Sequence, residues 1–203
     1  AKLLERNPVI VIKSTVPPGT CENLNKEFKN LNIVFSPEFL TEANSIEDFK
    51  NQTRIILGGP RPYTTQVKTV LRKAFPHIPI VKTGYKTAEM VKYFTNCFLT
   101  SKVIFANQMF EICESANIDY DKVTEYVLYD ERIGKSHLSV PGPDGDRGYG
   151  GHCFPKDLAA MINFATEADV DETFLLTIEE MNKYYRTNKD WESMKGRAVS
   201  EED

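Results

Sequence analysis

The chain is 203 residues long, 41% hydrophobic and 27% charged, with a formal net charge of -4. These proportions belong to a globular protein with room for one large domain or two small ones, and the acidic balance with dispersed basic residues excludes a dedicated nucleic-acid surface. No run approaches the ~20 apolar residues of a membrane helix, and the opening Ala1-Lys2-Leu3-Leu4-Glu5-Arg6 lacks the apolar stretch of a signal peptide. The expected address is the cytoplasm, with neither nucleic acid nor membrane as a partner.

From Val9 to about Lys82, short apolar runs alternate with polar, helix-compatible stretches: Val9-Ile10-Val11-Ile12, Ile33-Val34-Phe35, Ile55-Ile56-Leu57 and Ile78-Pro79-Ile80-Val81. Continuous Val- and Ile-rich runs of this kind predict buried strands of a mostly parallel α/β sheet. Cys21 to Lys29 and Tyr63 to Ala74 supply crossover helices, and Pro17-Pro18-Gly19 and Gly58-Gly59-Pro60 supply turns. Near Thr87 the pattern changes. No proline or glycine interrupts the sequence as far as Asn117, which predicts one long helix. Its apolar residues Met90, Phe94, Phe98, Val103, Ile104, Phe105, Met109 and Ile112 cover much of the circumference, so a central, largely buried rod is expected. A glycine-rich loop from Pro141 to Gly151 follows, then helices from about Pro155 to Thr166 and from Glu172 to Arg186, and a polar end from Met194 that should fray. The fold class is therefore α/β, a parallel sheet followed by an all-α portion built on one long helix, divided as residues 1–84, 85–190 and a polar tail 191–203.

Cys21, Cys97, Cys113 and Cys153 are far apart and form no C-x-x-C pair, so reduced thiols are expected and neither a zinc site nor a disulfide framework. The close spacing of His152 and Cys153, with His137 as a third group, fits no common ligand pattern, and no metal is expected. Cys153 itself stands out. It follows the pair Gly150-Gly151 and precedes Pro155, a residue suited to the first helical position, so it should sit at a helix N-terminus, where free N–H groups favour thiolate over thiol. Lys156 would strengthen that bias.

Lys92 and Asn96 are four apart on the long helix and share a face, an ammonium beside an amide that together suit a developing oxyanion. A solvated helix face is the plainer account of such a pair. Glu38 in Ser36-Pro37-Glu38-Phe39-Leu40 follows the second strand, as Ser14-Thr15-Val16 follows the first, and ligands of open α/β sheets bind outside the carboxyl ends of the strands. Thr15 and Glu38 should therefore reach one rim, where a carboxylate can position water or simply cap a helix. The loop from Pro141 to Gly151 has no Gly-Lys-Ser/Thr ending and no strand before it, so it is read as a mobile, substrate-covering loop and not as a phosphate cradle.

Ser14-Thr15-Val16-Pro17-Pro18-Gly19-Thr20, Ser36-Pro37-Glu38-Phe39-Leu40, Glu89-Met90-Val91-Lys92-Tyr93 with Asn96, Arg132-Ile133-Gly134 and Gly150-Gly151-His152-Cys153-Phe154-Pro155-Lys156-Asp157 together resemble the UDP-glucose/GDP-mannose dehydrogenase family, in order and from about Pro8 to about Asn182. The Phe-Pro-Lys-Asp ending leans to the branch that oxidises UDP-glucose. The resemblance implies the second half of a Rossmann-like NAD-binding domain over 1–84 and a central helical domain over 85–190 that dimerises through the long helix. It implies oxidation of a sugar C6 alcohol to a carboxylate with two NAD⁺ in succession, through a thiohemiacetal and a thioester on Cys153.

Carried over residue by residue, Lys92 and Asn96 steady oxyanions, and Asp157 with Thr15 and Glu38 orders the water that hydrolyses the thioester. Ser14, Thr15, Val16, Glu42 and Lys156 contact NAD. Glu38, Phe39, Leu40, Thr41, Glu42, Lys92, Asn96, Arg132, the loop Gly142, Pro143, Asp144, Gly145 and Asp146, and Gly150 contact the nucleotide sugar. The family's first strand with its G-x-G-x-x-G turn and its third α/β domain have no counterpart in these residues, so a fragment, or a chain complemented by others, is expected, with an exposed strand edge. Two other readings stay open: a noncatalytic oligomerisation module, and a fragment acting on GDP-mannose or a UDP-N-acetylhexosamine.

Overall fold

The computed structural model describes residues 8–40 and 44–194. The chain divides into two compact units, the first ending at Phe94 and the second beginning at Thr95.

The first unit is a four-stranded sheet with helices on both faces. In chain order it holds β1 (Val9–Ile12), α1 (Thr20–Glu27), β2 (Asn32–Phe35), α2 (Ser45–Lys50), β3 (Ile55–Gly58), α3 (Arg61–Ala74), β4 (Ile80–Thr83) and the first turns of α4 (Tyr85–Ser115). Strand order follows chain order, with β1 parallel to β2 and β3 parallel to β4. The sheet is mostly parallel, as the sequence suggests, but β2 and β3 pair antiparallel through Phe35 and Gly58. Among the described residues the β2–β3 connection carries the six-residue α2, too short to show a helical period in sequence.

Alternation along the strands sorts two cores. Ile33, Phe35 and Ile56 pack with Cys21 of α1 and Ala88 of α4, while Val34, Ile55, Leu57 and Ile80 meet Tyr63, Val67 and Leu71 of α3. The turn after β3 needs its glycines. A Cβ on Gly58 would stand 2.6 Å from the Ala88 methyl, and Gly59, at φ +138, lies against the Tyr85 ring, whose hydroxyl donates to the Ile33 carbonyl at 2.6 Å. Tyr85, Ala88 and Val91 thereby root α4 in the first unit, and the division between the units falls inside that helix, whereas the sequence places it at the helix start. β1 forms one edge of the sheet, with Ile10 and Val11 each 38% exposed.

The second unit is helical: the remainder of α4, then α5 (Tyr120–Val127), α6 (Cys153–Glu167), α7 (Thr173–Tyr185) and a 3-10 turn at Asp190–Ser193. Ile104 of α4, Tyr149 of the glycine-rich loop, Leu158 and Ile162 of α6, and Ile178 and Tyr185 of α7 form its main core. Ala106, Cys113, Tyr120 and Val140 form a second. α5 was not expected. Asp119 caps it, its side chain accepting from the Lys122 N–H at 3.2 Å. The 3-10 turn falls in the stretch read as a polar tail, and its Trp191 is buried.

α4 corrects one expectation outright. It is a single helix of 31 residues, but Phe94, Phe98, Phe105 and Ile112 are each more than half exposed. Apolar residues surround the helix, and among the described residues only part of that circumference is buried. Among the described residues no helix is long and apolar enough to cross a membrane.

Candidate active site

Two clusters of polar side chains stand out, one in each unit. In the first, β1 and β2 run parallel with Ile12 opposite Phe35, and the Ser36 N–H donates to the Ile12 carbonyl at 2.8 Å. The segments beginning at Lys13 and Ser36 therefore leave the sheet together at its carboxyl end, the expected rim for Thr15 and Glu38. Lys92, only 3% exposed, crosses to this rim from α4, and its ammonium donates to the Glu38 carbonyl at 2.9 Å and to Oε1 at 3.3 Å. The Phe39 ring lies beneath it at 5.6 Å and carries the Arg54 guanidinium at 4.2 Å. Glu38 Oε2 is buried without a hydrogen-bond partner among the described residues. A buried acceptor left open beside a buried ammonium is a place for a hydroxyl or a water.

Sequence reasoning missed two members of this unit. Lys13 is exposed, yet the groups around it partly desolvate it and hold it below the ordinary lysine range; the Glu38 carboxylate offsets part of that effect and the Lys92 ammonium adds to it. Glu89 is fully buried and accepts from the Gly19 and Cys21 N–H groups at 2.6 and 2.9 Å, closing the amino end of α1 with an internal carboxylate. Burial, with the Glu89 hydrogen bond and charge behind it, pushes the Cys21 thiol far upward. Glu89 opens one of the motifs read from the sequence, but its role, like that of Lys13, is set by partners distant in the chain.

The second cluster surrounds Asp157, whose side chain is 1% exposed. Asn96 donates its amide to Oδ2 at 2.6 Å, and Lys156 pairs with Oδ1. The same carboxylate adds to burial in raising Cys97 to about 12. Cys153 is the first residue of α6, one turn before Asp157, and the His152 Nε2 lies 3.3 Å from its sulfur. The amino end of α6 has no side-chain cap, so its N–H groups face the thiol's end of the helix. Two details differ from expectation. Pro155 occupies the third helical position and not the first, which is tolerated because no N–H in the first turn has an intrahelical partner. The Lys156 ammonium, expected to favour the Cys153 thiolate and to contact NAD, is engaged by the adjacent carboxylate of Asp157.

The other site residues are placed as follows. Ser14 is exposed, and Thr15, Val16, Phe39 and Leu40 are half-buried at the rim of the first unit. Thr41 and Glu42 lie outside the described residues. Arg132 is not brought to the Asp157 cluster: its side chain is 89% exposed and paired with Asp130, whose carboxyl it holds below the usual range. Of the loop residues, Pro143 and Gly145 are exposed and Gly142 is half-buried, while Asp144 and Asp146 turn their carboxylates to the buried Arg186. Gly150 lies against Arg186 and Asp190. The loop is thus tied down by a buried cation instead of standing free, a correction that the sequence could not supply because Arg186 reads as the last residue of an ordinary helix.

Known proteins carry the same arrangement of sequence. Residues 1–76 match the NAD binding domain of the UDP-glucose/GDP-mannose dehydrogenase family and residues 86–184 match the central domain of the same family. UDP-glucose 6-dehydrogenase of Rickettsia prowazekii is 34% identical over 199 residues, 93% of this chain and 44% of the relative. UDP-glucose 6-dehydrogenase TuaD of Bacillus subtilis is 34% identical over 205 residues, 95% of this chain and 43% of the relative. Among solved structures, a UDP-glucose dehydrogenase from the archaeon Pyrobaculum islandicum superposes with a TM-score of 0.74 at 30% identity, over 87% of this chain and 41% of that one. The chain spans less than half the length of the curated relatives it matches.

Proposed function

The chain belongs to the UDP-glucose/GDP-mannose dehydrogenase family, and from that membership we propose that it carries the thiol and oxyanion machinery of an NAD-dependent nucleotide-sugar dehydrogenase acting on UDP-glucose. The observation that best supports this reading is the set around Asp157: a buried carboxylate held by Asn96 and Lys156, one helical turn beyond a cysteine at the uncapped start of α6. Burying a carboxylate this deeply is costly, and Asn96 and Lys156 offset that cost by filling its two oxygens.

NAD is the family's cofactor, and when bound it accepts one hydride in each of two oxidations. The residues here fit its ring-bearing end. Ser14 and Thr15 offer hydroxyls and Val16 apolar surface at the carboxyl end of β1, whereas the amino end of α1, already closed by Glu89, does not fit a phosphate.

The proposed chemistry divides among the chain's own groups. Lys92 and Asn96 sit one turn apart on α4 and stabilise the alkoxide of the C6 alcohol as its hydride leaves. Cys153 Sγ then attacks the aldehyde carbon, forming a C–S bond and a thiohemiacetal, which retains the carbon between the two oxidations. Loss of a second hydride and the hydroxyl proton gives the thioester. Water, ordered by Asp157 with Thr15 and Glu38, adds to the thioester carbon, the C–S bond breaks, and carboxylate and free thiol are released. Glu38 to Glu42, Arg132, the loop Gly142 to Asp146 and Gly150 contact the nucleotide sugar in this reading. With the carboxylates of Asp144 and Asp146 turned to Arg186, the loop's contacts fall to its backbone.

The exposed stripe of α4 supports the homodimer proposed for it. Phe98, Phe105 and Ile112 recur every seven residues, with Phe94 one turn before them, as on a helix that packs against another helix. The reading is tested by incubating folded chain with UDP-glucose and NAD⁺ at high protein concentration and following NADH absorbance and UDP-glucuronate together. Two NADH per UDP-glucuronate supports it. Neither product from a folded sample sinks it for this chain.

A further inference from the structure

The loop that leads into Cys153 is held by three side chains that have no place in the chemistry above. Asn182 of α7 reads the backbone of Tyr149 from both sides: its Oδ1 accepts from the Tyr149 N–H at 2.8 Å and its Nδ2 donates to the Tyr149 carbonyl at 3.0 Å. It is buried, and Gly148 lies so close beneath its Oδ1 that a Cβ there would overlap it. Four residues on, the Arg186 side chain is 2% exposed and spreads its guanidinium among carboxylates. Asp144 Oδ2 lies 2.7 Å from Nη1, in a charge contact whose angle is not that of a hydrogen bond, and Asp146 lies 3.6 Å from Nε and Asp190 3.8 Å from Nη2. Nε also donates to the Asn188 carbonyl at 2.8 Å. Four residues further, both oxygens of Asp190 accept from the Gly151 N–H at 3.1 Å.

These contacts leave no room for a side chain at Gly148 or Gly150. A Cβ on Gly150 would run into the Arg186 guanidinium and stand 2.6 Å from Asp190. The path from Gly148 to Gly151 is thus pressed onto Asn182, Arg186 and Asp190, and Cys153 follows two residues later as the first residue of a helix with no side-chain cap. Tyr149, which Asn182 holds, also packs edge-on against Phe154 in the first turn of α6, so the held loop bears directly on where the helix begins and where the thiol stands.

We propose that Asn182, Arg186 and Asp190 are positioning residues, a latch with Arg186 as its charged centre that fixes the Gly148–Gly151 segment and so keeps Cys153 at the amino end of α6. The proposal takes Cys153 as the working thiol, as in the function proposed above, but it concerns the placement of that thiol and not turnover. Releasing the latch lets the first turn of α6 fray, and the sulfur loses the N–H groups that favour thiolate.

The test is the rate at which iodoacetamide alkylates Cys153 at neutral pH in the whole chain, resolved by mass spectrometry, without substrate or NAD. Arg186→Ala should slow Cys153 at least about fivefold, Asp190→Asn should slow it in the same direction, and Arg186→Lys, which keeps the charge, should recover part of the loss seen with alanine. A Cys153 rate in the alanine and asparagine variants that equals or exceeds wild type overturns the latch, as does a lysine variant no faster than alanine. If Arg186→Ala does not fold, the buried Cys21 and Cys113 will be alkylated too, and Asp190→Asn decides by the same criterion. Loss of NADH formation with unchanged alkylation would count against the latch alone, and slowed alkylation in a chain that never turns over would count against the proposed activity alone.

Discussion

Asp157 shows how the second unit handles charge. A carboxylate this deep needs its oxygens filled, and Asn96 fills one and Lys156 the other. Asp157→Asn keeps the volume but puts an amide where Lys156 and Asn96 both offer donors, so it leaves at least one donor unpaired. If the proposed chemistry holds in a form of the chain that turns over, that change should slow thioester hydrolysis more than hydride transfer, seen as an acyl intermediate accumulating on Cys153 in rapid quench. Equal loss at both steps would contradict the water-ordering role. The four thiols are separated by the same reasoning. Burial and the Asp157 charge push Cys97 up to about 12, burial pushes Cys21 up further, and Cys113 is 4% exposed. Only Cys153 is both accessible and at a helix amino end, so iodoacetamide at neutral pH should reach it about tenfold faster than the others; similar rates for Cys97 and Cys153 would remove the activated thiol from the mechanism. Asp146 adds a pH dependence. The Asn188 N–H is the main cause holding its carboxyl below the usual range, ahead of the Arg147 N–H and the Arg186 charge. Its folded value therefore lies below its unfolded one, and its stabilising contribution is complete above about pH 4 and lost as pH falls through the folded value. Asp146→Asn should flatten the acid limb of a plot of Tm against pH.

At the scale of elements, α1 depends on a residue of α4. Glu89→Ala would leave the Gly19 and Cys21 N–H groups without their acceptor in a buried setting, at a cost of about 1–3 kcal/mol for each group. A urea midpoint that does not move would show that water replaces the carboxylate freely. Strands and long helices were legible in the sequence because their signals are local: the Val- and Ile-rich runs gave all four strands, and the proline- and glycine-free stretch gave α4 to within two residues at each end. Lys92 and Asn96 were legible as one face for the same reason. α2 and α5 were not, being six and eight residues long, too short for a helical period to declare itself. The partners of the site residues were beyond reach as well. Glu38 lies 54 positions from Lys92, Gly19 lies 70 from Glu89, and Tyr149 lies 33 from Asn182, and no spacing rule links such pairs. Gly150 illustrates the limit well. The family resemblance gives it a contact with the nucleotide sugar, and no sequence pattern announces the arginine and the carboxylate of the chain itself that lie against it.

For the molecule as a whole, the decisive surface is the outer face of α4. Phe94 is 71% exposed, Phe105 60%, Phe98 57% and Ile112 51%, a run of large apolar side chains on one helix that a monomer would leave in water. Single exposed apolar residues are ordinary, but a stripe with a seven-residue repeat has the form of a helix-packing seam. Burying each such side chain against a partner helix would contribute about 1.5–3 kcal/mol, and a twofold contact counts each of them twice. The chain should therefore sediment as a dimer. Phe98→Glu with Phe105→Glu should convert it to a monomer with an unchanged circular dichroism spectrum, because neither residue belongs to the core of the second unit. A wild-type chain that stays monomeric at the highest soluble concentration would mean that something other than a second copy covers the stripe. A double variant that loses its helical signal would mean instead that these rings pack within the chain in solution.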